Sequence, residues 1–174
     1  IRAIDNDVTR VGGTAFAYFG VANSAIENNR FTDNGGVHSQ PVSVYMTNRN
    51  VRVTGNLFVG GDRAITWHGD KSFNAAVPGD HNIVIERNVA ISTAGSRNAM
   101  LQSWGASTRG VRILSNYAAS PYFALMLSDS DTGVTVDGNI LAGRATLLPR
   151  VGLTVGDNRV LPWTPAMPDH GELC

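Results

Sequence analysis

The stretch Val51-Arg52-Val53-Thr54-Gly55-Asn56-Leu57-Phe58 places two apolar residues two positions apart, an asparagine three positions later, and two more apolar residues directly after it. Apolar residues spaced by two make a short strand with one buried face. The asparagine is expected to mark the bend that ends this strand, because asparagine tolerates the left-handed conformation and its amide can bond local backbone. An apolar residue three positions before and another two positions after likewise flank Asn6, Asn29, Asn88, Asn116, Asn139 and Asn158, and the seven asparagines are separated by 23, 27, 32, 28, 23 and 19 residues. A motif that recurs while its connections vary in length belongs to stacked repeat units with loops.

A further short strand follows a variable loop in several units: Val42-Ser43-Val44-Tyr45-Met46-Thr47, Ala64-Ile65-Thr66-Trp67-His68, Ala99-Met100-Leu101-Gln102-Ser103 and Phe123-Ala124-Leu125-Met126-Leu127. Three strands per unit predict a triangular turn of chain, and stacking the turns pairs each strand in parallel with its copies above and below. The asparagines would then superimpose as a ladder. Stacked amides satisfy buried polar groups that an apolar replacement would leave unpaired, at about 1–3 kcal/mol each.

On these seven asparagines and their flanking strands the chain resembles the right-handed parallel β-helix family, the pectate-lyase-like superfamily, over residues 1–161. The resemblance implies an all-β fold, a right-handed single-stranded parallel β-helix of about six to seven coils, with the asparagine ladder at the tight bend between the second and third strands. At about 4.8 Å per coil the rod would be roughly 30 Å long. Residues 162–174, with Pro162, Pro165 and Pro168, are expected to form an irregular tail, since proline cannot continue a strand ladder. A leucine-rich repeat has a similar core motif, but it wants an apolar residue where this chain has Asn48, Asp80, Thr108, Asp131 and Arg150. No segment of helical period follows the asparagines either.

Composition narrows the function classes. Lysine plus arginine equals aspartate plus glutamate at 14 each, with Lys71 the single lysine, so a nucleic-acid partner held by counterion release is not expected. Nineteen glycines against 11 leucines speak for turns and strands. The apolar stretches fall short of the roughly 20 residues a membrane helix needs, so membrane insertion is not expected. The lone Cys174 cannot form an internal disulfide. A secreted or periplasmic location is expected from the resemblance, and the uncapped first repeat suggests a processed or truncated piece.

Enzymes of the resembled family work on the outer face of the strand that precedes the longer loops. Placing Val42, Val44, Met46, Ile65, Trp67 and Leu101 inward turns Tyr45, His68, Met100, Gln102 and Trp104 outward, where rings stack on sugars and amides bond sugar hydroxyls. The long loops 69–81, 92–97 and 33–40 enter or leave this strand stack, which concentrates site candidates there. A lyase or epimerase acting on a uronic acid needs a base for the C5 proton and a positive group for the carboxylate. His68, Lys71 and Arg63 are the catalytic candidates, and Tyr45, Gln102, Trp104 and Arg97 the substrate-binding ones. Asp129 and Asp131 are the nearest thing to a hydrolytic carboxylate pair, but their setting reads as a polar turn. No cofactor and no metal site are expected.

The expected function is a carbohydrate-active β-helix protein, a polysaccharide lyase or epimerase if catalytic, that binds an extended polysaccharide or oligosaccharide. The alternative is a non-catalytic carbohydrate-binding, adhesin or structural segment, with self-association through open coil ends. Gly79-Asp80-His81-Asn82 is only faintly similar to the Asp-Pro-His-Asp motif of alginate epimerases, lacking its proline and second aspartate. The polygalacturonase and pectate-lyase motifs are absent, so the resemblance carries a scaffold and no ready-made active site.

Overall fold

The structure, a computed structural model, describes residues 1–35, 40–69, 81–92, 96–104 and 108–164. Within them every helix or strand assigned is a strand, and every strand pairing is parallel. The fold is all-β, consistent with a β-helix or solenoid-like arrangement. Lys71, Asp70, Pro78 and Asp80, the middle of each candidate loop, and Pro165, Pro168 and Cys174 lie outside the described residues.

One row of strands follows the order β1 (Arg2–Ile4), β4 (Ala22–Glu27), β7 (Arg49–Thr54), β10 (His81–Glu86), β13 (Arg109–Leu114), β15 (Val134–Asp137) and β17 (Leu153–Val155). A second row holds β2 (Asp7–Thr9), β5 (Arg30–Asn34), β8 (Leu57–Gly61), β11 (Val89–Ile91), the start of β14 (Tyr117–Met126), β16 (Ile140–Ala145) and β18 (Arg159–Leu161). The third holds β3 (Phe16–Phe19), β6 (Val42–Tyr45), β9 (Ile65–His68), β12 (Ala99–Ser103) and the end of β14. Each strand's neighbour is thus its counterpart one repeat away, and the rest of the repeat supplies the long crossover that parallel pairing requires. In the β14 unit the expected loop between second and third strands is missing. The strand runs straight through Pro121, whose missing N–H coincides with a break in register between Ala119 and Phe123.

Register stacks like on like. Ile26, Val53, Ile85, Ile113 and Val136 occupy one column of the first row and are fully buried. Phe31 and Phe58 stack face to face in the second row, 4.7 Å apart. Each such side chain taken from water stabilises the fold by about 1.5–3 kcal/mol.

The seven asparagines form a continuous chain. Each Nδ2 from Asn6 to Asn139 donates to the Oδ1 of the next asparagine at 2.8–3.0 Å. The bend, however, is not where the sequence placed it. None of the ladder asparagines has a positive φ; the residue before each of the first six does, at Asp5 (55°), Asn28 (55°), Gly55 (66°), Arg87 (52°), Ser115 (53°) and Gly138 (67°). That left-handed residue turns the chain, and the asparagine that follows bonds the carbonyl two residues back, as Asn56 does to Thr54 and Asn88 to Glu86. Asparagine is selected here for its amide, and the bend falls to its neighbour.

Candidate functional site

The third row carries the sequence-predicted site. Val42 and Val44 in β6, and Ile65 and Trp67 in β9, are fully buried, so the alternate positions Tyr45 and His68 stand at the ends of their strands, half-buried and in register. Trp104 follows β12 and continues that register, its backbone N–H donating to the Trp67 carbonyl at 3.0 Å. Phe19, the register partner of Tyr45 in β3, extends the column by one more ring and is 54% exposed.

Four rings therefore run across four successive units. Phe19 and Tyr45 lie 5.1 Å apart, Tyr45 and His68 3.7 Å, and His68 and Trp104 6.1 Å, the last two pairs edge to face. The Arg63 guanidinium lies 5.2 Å from the Trp104 ring centre, so Trp104 contacts both His68 and Arg63. Arg63 is further held by Asn98 Oδ1, which accepts from its Nη2 at 2.8 Å, while its Nε is buried and has no partner among the described residues. Burial pulls the Arg63 pKa below its usual value, and the nearby Asp62 opposes that shift. Such a cation, partly stripped of water, suits an incoming carboxylate.

Gln102 does not join the outer surface. It pairs in register with Thr66, which pairs with Ser43, and all three are buried at 4%, 1% and 4% exposure. Met100, also expected outside, is buried in the core beside Leu101. Met46 has a φ of 72° and follows the end of β6, so strand alternation no longer sets its direction. Alternation tells which side of a strand a residue takes, but an outer position is exposed only where nothing overlies it.

Arg97 is exposed, and Lys71 lies outside the described residues. Asp129 and Asp131 do not face one another as a catalytic pair would. The Asp129 side chain is fully exposed and meets Arg150 at 2.6 Å, whereas Asp131 is buried and its Oδ1 accepts from the Thr108 hydroxyl at 2.6 Å. Among the described residues no group of three or more His, Cys, Asp or Glu side chains is arranged to hold a metal ion. Among them no helix long and apolar enough to cross a membrane is found.

Sequence reading missed Phe19, although Phe16-Ala17-Tyr18-Phe19 has the apolar character of the later third-row strands. It also missed a second amide column on the outer side of the first row. There Asn82 donates to Asn50 at 2.8 Å and Asn50 to Asn23 at 2.9 Å, all three in the left-handed conformation. Next to this column His81 pairs in register with Arg49 on one side and Arg109 on the other. Burial, then Arg109 and Arg49, push its pKa below the ordinary value of about 6.5.

The sign of that shift fixes a pH effect. The folded chain holds His81 neutral, so below about pH 6.5 the unfolded chain binds its proton first and stability falls as pH falls through that range toward the folded pKa. Urea midpoints at pH 7.5 and 5.5 should therefore drop further for the native protein than for His81→Gln. Equal drops would remove His81 as a source of acid sensitivity.

The chain matches no protein-family model, no curated protein and no solved structure.

Proposed function

We propose that the chain is a segment of a right-handed single-stranded parallel β-helix of the pectate-lyase-like kind, secreted or periplasmic, that binds an extended glycan along the ring column Phe19–Tyr45–His68–Trp104. The observation that carries this reading is the continuity of the column, with one ring per unit and the Arg63 cation at the Trp104 end. Successive units are spaced at about 4.8 Å, a repeat that matches a linear polymer lying along the axis better than a compact ligand. Aromatic faces and edges supply the sugar contacts, and the guanidinium favours a uronic acid.

In the catalytic form of this proposal His68 takes the C5 proton of a uronate while Arg63 neutralises its carboxylate; the C4–O glycosidic bond then breaks to leave a C4=C5 double bond and a protonated leaving sugar, or a proton from solvent returns to the opposite face of C5 and inverts it. A second reading, glycan binding without chemistry, is favoured by the burial of Gln102, which leaves rings rather than polar groups on the column. In that reading the exposed Val155 and Val160 on β17 and β18 suit self-association through the edge strands.

Titration with oligogalacturonate, oligoalginate and a neutral oligosaccharide of equal length, followed by tryptophan fluorescence and calorimetry, separates the outcomes. Binding should weaken about tenfold in Trp104→Ala, or roughly 1.4 kcal/mol. A product absorbing in the ultraviolet, lost in His68→Ala, would establish elimination, and binding without such a product would establish the second reading. No binding to any of the three glycans would refute both.

A further inference from the structure

The outer side of the first row carries a depression of about 420 Å³ lined by Asn50, Arg52, Asn82, Val84, Glu86, Arg112 and Leu114. It spans β7, β10 and β13, on a different strand row from the ring column. That volume falls within the range of small-ligand sites.

Charge on this face is lopsided in a chain whose formal net charge is zero. Arg49 and Arg52 on β7 and Arg109 and Arg112 on β13 flank β10, and Glu86 is the only carboxylate on these three strands. Glu86 is already engaged, bonding Arg52 at 2.5 Å and Arg87 at 3.5 Å. No carboxylate among the described residues pairs with Arg112, whose side of the depression stays positive. His81 stands in register between Arg49 and Arg109, which add to the positive charge of this face.

Polar and apolar groups are also divided in a useful way. Val84 and Leu114 give the depression apolar surface, the two guanidinium groups give it donors, and the amides of Asn50 and Asn82 line it as a polar edge. The amide column that begins at Asn23 stops at Asn82, because its next position in β13 is Gly110, which has no side chain. Asn82 Nδ2 is spent on Asn50, and its Oδ1 faces the end of the column as an acceptor for a hydroxyl.

We propose that this depression is a second glycan subsite, one that takes an acidic sugar unit. The sugar's C–H face lies on Val84 and Leu114, its carboxylate or sulfate on Arg112 and Arg52, and its hydroxyls on Asn50 and Asn82. The site is independent of the ring column and does not require the column to bind anything.

The test uses the whole chain and four probes: oligogalacturonate, a sulfated oligosaccharide, a neutral oligosaccharide of the same length, and inorganic sulfate. Side-chain amide shifts of Asn50 and Asn82, followed by NMR, should move with both acidic oligosaccharides and not with the neutral one. Affinity at this site should fall at least tenfold in Arg112→Ala, weaken as salt is raised, and remain unchanged in Trp104→Ala. Which acidic probe binds more tightly tells a carboxylate from a sulfate preference. Amide shifts insensitive to Arg112→Ala, or lost only in Trp104→Ala, would overturn the proposal. Inorganic sulfate binding as well as the acidic sugars would reduce the depression to an anion site and overturn its sugar half. Arg112 is exposed and makes no ion pair among the described residues, so Arg112→Ala should melt with the native protein; Arg112→Gln provides a second variant of near-native size.

Discussion

Asn88→Asp should destabilise the protein by about 3–5 kcal/mol at neutral pH, although it exchanges only an NH2 for an oxygen. The Asn88 Nδ2 donates to the Val53 carbonyl at 2.9 Å, the Glu86 carbonyl at 3.1 Å and Asn116 Oδ1 at 3.0 Å. In the variant a carboxylate oxygen would face these three acceptors at a site that is 1% exposed. The two N–H groups shared among these acceptors would be lost, and the contacts would become repulsions. Asn88→Ala should cost somewhat less, about 2–4 kcal/mol, because it strands the Val53 carbonyl and the Asn56 backbone N–H without adding a charge.

Acid should partly rescue the aspartate variant. Burial among acceptors raises the folded pKa of the new carboxyl above its unfolded value of about 3.9, and only the protonated form can donate. Relative to the native protein, the deficit is therefore largest above the folded pKa and shrinks as pH falls through it. Guanidinium midpoints of both proteins across pH 4–8 would show this convergence. The first asparagine supplies the control: Asn6 is exposed and no other asparagine of the ladder donates to its Oδ1, so Asn6→Asp should cost under about 1 kcal/mol. If Asn88→Asp and Asn6→Asp cost the same, the ladder contributes nothing through its amides.

How much of this was legible in the sequence depends on what each residue answers to. The ladder asparagines could be read because each must meet the same geometric demand, whatever the length of the intervening loop. The apolar columns could be read for the same reason, since Ile26, Val53, Ile85 and Ile113 answer to one interior. The left-handed residue before each of the first six asparagines was harder to see. Gly55 and Gly138 advertise it, but Arg87 and Ser115 occupy the same conformation without the usual residue type. The second amide column repeats the ladder's own spacings of 27 and 32 residues, but it has only three members before glycine replaces them, too few to stand out.

The candidate site was legible in part. Tyr45, His68 and Trp104 follow from strand alternation once Trp67 is placed inside. Gln102 follows from the same rule and is nevertheless buried, because alternation carries no information about what lies over a strand. Met100 and Leu101 break the rule outright, two neighbours both in the core, so β12 is buried at all five positions. Arg63 was picked for its charge alone, and its contact with Trp104 depends on the bend between β8 and β9 that no periodicity describes.

That bend rests on Gly61, and Gly61→Ala should cost about 3–5 kcal/mol, summing a forbidden backbone conformation and an overpacked contact at about 1–3 kcal/mol each with the difficulty of relieving either. Its φ is 135°, a region that side chains rarely enter, and an added Cβ would sit 2.5 Å from the backbone carbonyl oxygen of Asn34. A flexible side chain could move aside, but this oxygen belongs to β5, the register partner of β8 at that point, so only a separation of the two strands would make room. Gly143 meets the same obstruction from the Ser120 carbonyl at a φ of 129°, and Gly143→Ala should behave alike. Gly13→Ala is the contrast: nothing lies within 4 Å of its Cβ position and its φ is not positive, so the substitution should be neutral or stabilise by up to about 1 kcal/mol through the unfolded chain. Because Arg63 lies two residues beyond Gly61, the damage should reach the ring column. Gly61→Ala protein that remains folded should show altered Trp104 fluorescence as the guanidinium leaves the indole, whereas Gly143→Ala, at a corner remote in sequence, should lose stability with that signal retained. Gly61→Ala with native stability and native fluorescence would mean that the β5 and β8 strands yield at this corner, and that the close approach of their backbones does not hold Arg63 in place.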